Sequence, residues 1–531
     1  MPLEGKRLIL CLDGTWMNSD KGYNRPTIED PNDTLEVPTN ITRVYRALRK
    51  RGFDGESQVM YYHPGVGSTG GVSDSIAGGV FGIGVAEKNI REAYSFVATN
   101  YEPGDEIVLM GFSRGAFTAR GVAALIDAVG LLNAEGMEML YPIFKDAENS
   151  ENPDYKDKFP SKPFRNKPPR PNNGKEYRHR LEDAGLTRVF DPDGRRITIR
   201  CIAVWETGIN YTFPDLQKNK CSSPYTHTYM KILTKSTCRF YDTRLSNTTE
   251  YAFQALALDE DRTSFAPAIW EKPDDVKTDL RQVWFCGAHS NVGGGLPDQE
   301  LANVTMAWMM DQLTSIGVAF YDDTIDKLFE KSVHYYFKHP YGSNPDSRPE
   351  NWRPWADKSV YEEHKPVRPW GLGEIVQPAT GLYRLAGRTT RTPGQYCRID
   401  PETGLPTSRF LSNTNERIHR SVRIRLDLHG LGFDDEERYR CKALLKKGPW
   451  ELTRVRKVVS RKTEDAHGGY EKVVEKYDDD RWGWAFMGPE KEAPPQDILM
   501  EEPLGVYEKR LLRLNKGRPF YEMLYKESAL Y

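Results

Sequence analysis

Short apolar runs alternate with longer segments of helical period through the first half of the chain. RLILCLDGTW reads as a buried strand, Arg7 to Leu12, closed by the turn residues Asp13 and Gly14. Gln58 to Tyr62 (QVMYY) is a second strand running into His63-Pro64-Gly65. From Ile90 the apolar positions Ile90, Ala93, Tyr94 and Val97 fall at i, i+3, i+4 and i+7, the stripe of a helix packed on a sheet, and Pro103-Gly104-Asp105 stops it. Ile107 to Met110 reads as a fully buried strand, Gly111 to Gly115 as a sharp turn, and Ala116 to Val129 as a helix ended by Gly130. Arg196 to Trp205 (RITIRCIAVW) is a strand followed by Glu206-Thr207-Gly208. Gln282 to Cys286 (QVWFC) is another, followed by Gly287-Ala288-His289, and Asp298 to Leu313 is helical by period. Strands alternating with helices predict an α/β fold built on a mostly parallel sheet.

Between these units the composition changes. Lys145 to Arg196 is dense in Lys, Arg, Pro, Asn and Asp, lacks periodicity, and reads as an excursion or mobile loop. Tyr341 to Asp357 and Arg388 to Pro406 are similarly rich in Pro, Arg and Gly. Arg456 to Arg481 reads as a solvated hairpin or helix face, and Pro503 to Asn515 as a helix. The division expected is a catalytic domain over residues 6–330, with an insert at about 145–196, and a C-terminal extension over 331–531 that packs on it and supplies lid or rim elements.

The totals exclude more than they assign. Across 531 residues, 74 Lys and Arg nearly balance 76 Asp and Glu, so no net field argues for nucleic acid. Seven cysteines form no CxxC pair, which suits a reducing compartment, and ten histidines do not pair with acidic neighbours at metal-ligand spacing. The run Leu8 to Leu12 is too short for a signal-peptide core, and no stretch is long enough to span a membrane. A cytoplasmic protein without cofactor or metal is expected, with membrane contact at most transient.

Three strand ends present a Ser, a carboxylate and a His. A serine hydroxyl is a poor nucleophile until a base accepts its proton and a third group orients that base. Ser113 in Gly-Phe-Ser-Arg-Gly, Glu206 and His289 follow the nucleophile, acid, base order of an α/β hydrolase, whose strand ends converge on one edge of the sheet. The backbone N–H of Arg114 would be one oxyanion donor, and Gly14 or Thr15 the other. His419 is the rival base, and Asp259 and Asp13 are rival carboxylates, with Asp13 also suited to holding its own turn. The glycine-rich segment Gly65 to Gly84 has no Gly-Lys-Ser/Thr ending and so is not a nucleotide loop. Val72, Ile76, Val80, Phe81 and Ile83 suit either an apolar wall for an acyl chain or ordinary packing.

LCLDGTW, YYHPGVGS, EPGDEIVLMGFSRGAFTAR, ALALDEDR, VWFCGAHSNVGGG and TNERIHRSVR, in that order, resemble the α/β-hydrolase family catalogued as domain of unknown function 2235. That family includes the catalytic domain of bacterial type VI secretion phospholipase effectors and many fungal members. The resemblance runs from about Lys6 to Leu313 and implies an α/β-hydrolase-like fold, a nucleophile at Ser113, an acid at Glu206 and a base at His289. Three positions depart from the family pattern: Glu206 stands where Asp is usual, Asn291 where a carboxylate follows the base, and Gln254 where His is frequent. The function implied is hydrolysis of carboxylic esters, lipid or other acyl esters. A non-catalytic interaction protein on the same scaffold and a small-molecule esterase of secondary metabolism are the alternatives.

Overall fold

A computed structural model describes residues 5–14, 37–65, 83–150, 152, 155–167, 174–207, 244–339, 360–361, 367–377, 387–400, 406–446, 449–455, 458–464, 470–476 and 481–515. Thr15, Val72, Ile76, Val80, Phe81 and the segment Tyr341 to Asp357 lie outside these residues.

The first strands are β1 (Lys6–Leu12), β2 (Ser57–His63), β3 (Glu106–Phe112), β4 (Ile199–Trp205), β5 (Thr249–Ala257) and β6 (Asp279–Phe285). From the C-terminal half come β7 (Glu416–His419), β8 (Trp450–Val455), β9 (Arg481–Phe486) and β10 (Ile498–Glu502). All ten join one sheet in the order β8-β9-β10-β7-β6-β5-β4-β3-β1-β2. Every pairing from β2 to β10 is parallel, and β9 and β8 close the far edge antiparallel. Strands from both halves of the chain therefore share one sheet.

The nearly unbroken apolar runs of these strands follow from burial on both faces. Because side chains alternate, Ile9, Cys11, Val108, Met110, Cys201 and Ala203 enter one hydrophobic layer. Leu8, Leu10, Ile107, Leu109, Ile202 and Val204 enter the other. The first layer packs against α1 (Asn40–Ala47), α5 (Glu300–Ser315) and α6 (Thr324–Lys338). The second packs against α2 (Ile83–Asn100) and α3 (Arg114–Val129), whose stripes Ile90, Ala93, Tyr94, Val97 and Ala119, Val122, Ile126 point inward. A third cluster joins Leu256 and Trp284 to Ile418, Trp484 and Leu499 across the junction of the two halves. The short helix α4 (His289–Gly293) follows β6, α7 (Arg420–Asp427) follows β7, and α8 (Val506–Leu514) follows β10.

Part of the basic segment is helical, where its composition predicts an excursion or mobile loop. Within Lys145 to Arg196, residues Gly174–Asp183 form a helix that buries Tyr177 and Leu181. Asp146 accepts from the Tyr177 hydroxyl at 2.7 Å and from Lys167 Nζ at 2.6 Å. Two apolar residues one turn apart suffice here because a buried carboxylate collects the neighbouring donors, and so narrow a stripe gives no periodic signal. Strands β5, β7, β8, β9 and β10 were likewise not foreseen. Val458–Glu464 and Tyr470–Lys476 pair antiparallel, as a hairpin should.

Chain direction sets the position of the site. From β1 the chain goes to β2 on one side, and from β3 it goes to β4 on the other, so the carboxyl ends of β1 and β3 open at the switch point where ligands of such sheets bind.

Candidate active site

Ser113 joins β3 to α3 with φ 55° and ψ −119°, a conformation that L-residues rarely adopt. Its N–H donates to the Trp205 carbonyl at 3.1 Å, and its own carbonyl accepts from Phe117 N–H at 3.2 Å, which fixes the bend between sheet and helix. The glycines around it are spatial requirements. A Cβ on Gly111 would lie 2.5 Å from the Gly115 carbonyl oxygen, and one on Gly115 would lie 2.0 Å from that of Leu12. The helix thus crosses the strand ends at near backbone contact, and Ser113 is raised above the sheet while still largely buried. Arg114 opens α3, which puts its N–H at the positive end of the helix.

Glu206 continues β4 past Trp205, with its N–H on the Ala255 carbonyl at 3.0 Å, then turns at φ 43°. Its carboxylate is enclosed. Oε1 accepts from Ala257 N–H at 2.7 Å; Oε2 accepts from His289 Nδ1 at 3.1 Å and from Arg391 Nη2 at 3.0 Å. Burial alone would favour the neutral acid, but the Arg391 charge, the His289 contacts and the Ala257 N–H outweigh it and hold Glu206 below the usual carboxylate range. An ionised carboxylate only accepts hydrogen bonds, so the neutral imidazole carries its proton on Nδ1 and keeps the Nε2 lone pair available.

The His289 ring is clamped between two phenylalanines. Phe112, the neighbour of Ser113, lies with its ring centroid 4.8 Å away, and Phe265 meets it edge-on, also at 4.8 Å. A Cβ on Gly293 would sit 1.9 Å from the Phe112 ring, so the first glycine of the Gly-Gly-Gly run clears space for the residue that links serine and histidine. The His289 N–H donates to Glu260 Oε2 at 3.2 Å. Asn291, which departs from the family pattern, closes the same turn: its Oδ1 accepts from Ala288 N–H at 3.1 Å and its Nδ2 donates to the Glu374 carbonyl at 2.9 Å. Gln254 is buried beneath the site, 3.5 Å from the Thr207 hydroxyl. Among the described residues, no hydrogen bond joins Ser113 Oγ to His289.

The rival residues are engaged in other contacts. His419 ends β7 and is fully buried, with Nε2 2.7 Å from Glu508 Oε1 on α8 and Nδ1 2.8 Å from Ser421 Oγ. Burial pushes it down to about 3, and its ring stacks on Phe285 at 4.4 Å, so it fastens the C-terminal elements to the sheet. Asp259 accepts from Gly287 N–H at 2.7 Å and from the Tyr439 hydroxyl at 3.1 Å, and burial pushes it up to about 6. Asp13 takes the Gly14 N–H at 2.7 Å and the hydroxyls of Thr39, Thr42 and Tyr62, each at 2.8 Å. It organises the turn after β1 and occupies the Gly14 N–H that an oxyanion donor would need. Among the described residues, no group of three or more His, Cys, Asp or Glu side chains is arranged to hold a metal ion. Nor is any helix among them long and apolar enough to cross a membrane.

A parallel sheet between helical layers, with a strained strand-to-helix serine at its switch point, defines an α/β-hydrolase-like fold. The profile of the type VI secretion phospholipase effector Tle1-like catalytic domain matches residues 6–312, more than half of the chain, and the protein belongs to that family. An uncharacterized protein of Saccharomyces cerevisiae is 33% identical over 165 residues, which cover 28% of this chain and 22% of that protein. The chain thus spans about a fifth of that relative's length. A crystal structure of an uncharacterized protein from Pseudomonas aeruginosa aligns over 60% of this chain and 47% of that one, with 14% identity and a TM-score of 0.29.

Glu260, Phe265 and Arg391 were missed by sequence reasoning. Glu260 stands beside Asp259 in the quoted ALALDEDR motif, so its carboxylate was in view but unassigned. Arg391 carries no local signal, since it lies 185 positions from the carboxylate it binds.

Proposed function

We propose that this chain is a serine hydrolase of carboxylic esters, lipid or other acyl esters, acting through an acyl-enzyme on Ser113. Family membership supports hydrolysis of lipid esters. The observation that carries the reading is the pairing of His289 Nδ1 with a buried, ionised Glu206 at the sheet edge where Ser113 makes its strained turn. His289 Nε2 would take the Ser113 proton as Oγ attacks the ester carbonyl, and Glu206 would stabilise the imidazolium. The imidazolium would then protonate the leaving alcohol, and water activated by the same ring would release the acid. The N–H of Arg114 serves the oxyanion. Because the Gly14 N–H is engaged by Asp13, a second donor would come from another group.

Labelling with a fluorophosphonate, compared between the wild type and Ser113→Ala, tests the reading. Covalent modification at Ser113 together with hydrolysis of an ester panel is the expected result. A folded wild-type protein that neither labels nor hydrolyses any ester would leave the non-catalytic alternative standing. Chain-length preference in the same panel separates a lipase from a small-molecule esterase.

A further inference from the structure

We infer that Arg391 is a positioning residue of the hydrolytic site, supplied by the C-terminal half; this rests on the proposed serine hydrolase mechanism. It lies outside residues 6–312, yet its guanidinium is buried in the heart of the site. Nη2 donates to Glu206 Oε2 at 3.0 Å and to the Phe265 carbonyl at 2.7 Å, while Nε donates to the Glu260 carbonyl at 3.1 Å. Each acceptor belongs to a group that touches the base. Glu206 holds its Nδ1, the Glu260 side chain holds its backbone N–H, and the Phe265 ring packs on its edge.

The segment that carries Arg391 is tied down beside this cluster. Thr389 N–H donates to the Asp261 carbonyl at 2.7 Å, Thr263 N–H donates to the Gly387 carbonyl at 3.3 Å, and the Thr263 and Thr389 hydroxyls lie 3.0 Å apart. On the other side, Glu416 at the start of β7 accepts from Gly394 N–H at 2.9 Å. A strap from the C-terminal half therefore crosses the site and lowers one arginine into it.

The chemical consequence concerns charge as well as place. Two carboxylates, Glu206 and Glu260, face His289, and two cations, Arg391 and Arg262, answer them. Arg262 grips Glu260 through Nε and Nη2, each at 2.8 Å, and lies over the Phe265 ring. The imidazole also packs against the uncharged ring of Phe112. Glu206 can stabilise an imidazolium by its charge only while ionised, and burial opposes that. Arg391 keeps the carboxylate charged and offsets part of its pull on a proton at the imidazole, leaving the base free to accept one from serine. Without the guanidinium Glu206 would lose the largest of the contacts that hold it ionised and would bind a proton at higher pH.

The test is the rate of fluorophosphonate labelling against pH for the full-length wild type, Arg391→Met, Arg391→Lys and Ser113→Ala. Arg391→Met is expected to label about 10- to 100-fold more slowly, with the acid limb of its profile about one pH unit higher. Arg391→Lys keeps the charge but not the fork, so its limb should stay near that of the wild type while its rate falls. Should Arg391→Met fail to fold, as judged by circular dichroism, the Lys variant decides: a wild-type rate in that variant overturns the inference. Folded Arg391→Met with the wild-type rate and limb overturns it too, and leaves the hydrolase reading intact. Failure of the wild type itself to label at Ser113 removes both.

Discussion

Replacing Glu206 by Gln changes one charge and almost no volume, and its effect can be worked from the contacts. The carboxylate accepts three hydrogen bonds, from Ala257 N–H, His289 Nδ1 and Arg391 Nη2. An amide offers one oxygen and one NH2. With the oxygen kept on the Ala257 N–H, the NH2 faces Arg391 and the imidazole, and His289 can meet it only by moving its proton to Nε2, where it could not take the proton of the proposed serine nucleophile. With the oxygen turned inward, the Ala257 N–H loses its acceptor. In either pose Arg391 keeps the carbonyls of Glu260 and Phe265 but loses its counter-charge. A buried cation left without its partner costs about 3–5 kcal/mol, the expected loss of unfolding free energy at neutral pH. The wrong tautomer should lower the labelling and hydrolysis rates about 10³- to 10⁴-fold. The sign with pH follows from the depressed Glu206 value. Its stabilisation is present above the unfolded carboxylate range, about 4.3, and is lost as pH falls through the folded value, so the stability gap between wild type and variant should narrow in acid. Urea unfolding at several pH values and labelling of the folded variant measure the two effects. A Gln variant that is folded and labels within a few-fold of the wild type would refute Glu206 as the orienting acid.

Other substitutions separate site from scaffold. Gly115→Ala would place a methyl 2.0 Å from the Leu12 carbonyl oxygen and 2.5 Å from that of Asp13, neither of which is a movable side-chain end; denaturation should show a loss of roughly 3 kcal/mol or more. His289→Gln should abolish labelling at Ser113. His419→Gln, by contrast, should lower the melting temperature through its lost pairing with Glu508 yet leave the folded protein labelling within about threefold of the wild type. Glu300 is pushed up to about 8 by burial and by the Asp298 charge, so its contribution is present below the unfolded carboxylate range and fades as pH rises through 8. Glu300→Gln should therefore be more stable than the wild type at pH 9 by roughly 1–3 kcal/mol in urea unfolding, and the advantage should vanish near pH 4.

The sheet was most legible where burial on both faces left no alternative. β1, β3 and β4 announced themselves as apolar runs ending in Gly or a polar turn, because helices cover both sides and the middle of each strand is apolar on both faces. β5 was harder to see, since Thr249, Glu250, Tyr251 and Gln254 interrupt its apolar residues. Gln254 is nevertheless buried at the foot of the site. β7 spans only Glu416–His419, and its place beside β6 depends on Glu416 accepting from the Trp284 indole at 2.9 Å. No window of sequence holds both partners of that contact.

The same distinction separates the three proposed site residues from what supports them. Ser113, Glu206 and His289 each follow a readable strand, so strand-end position alone gathers them at one edge. The support works through long-range pairing instead, as when Arg391 reaches Glu206 and the carbonyls of Glu260 and Phe265. A guanidinium among carbonyls and one carboxylate needs no special neighbours in sequence, only a strap that ends in the right place. The proposed chemistry could thus be read from the N-terminal half, whereas the electrostatic balance that would tune it depends on a residue of the C-terminal half. The full-length Arg391→Met variant would keep all three proposed residues but leave the buried carboxylate of Glu206 without that cation. Glu206 would then bind a proton at higher pH, because the Arg391 charge is the largest of the contacts that hold it below the usual carboxylate range.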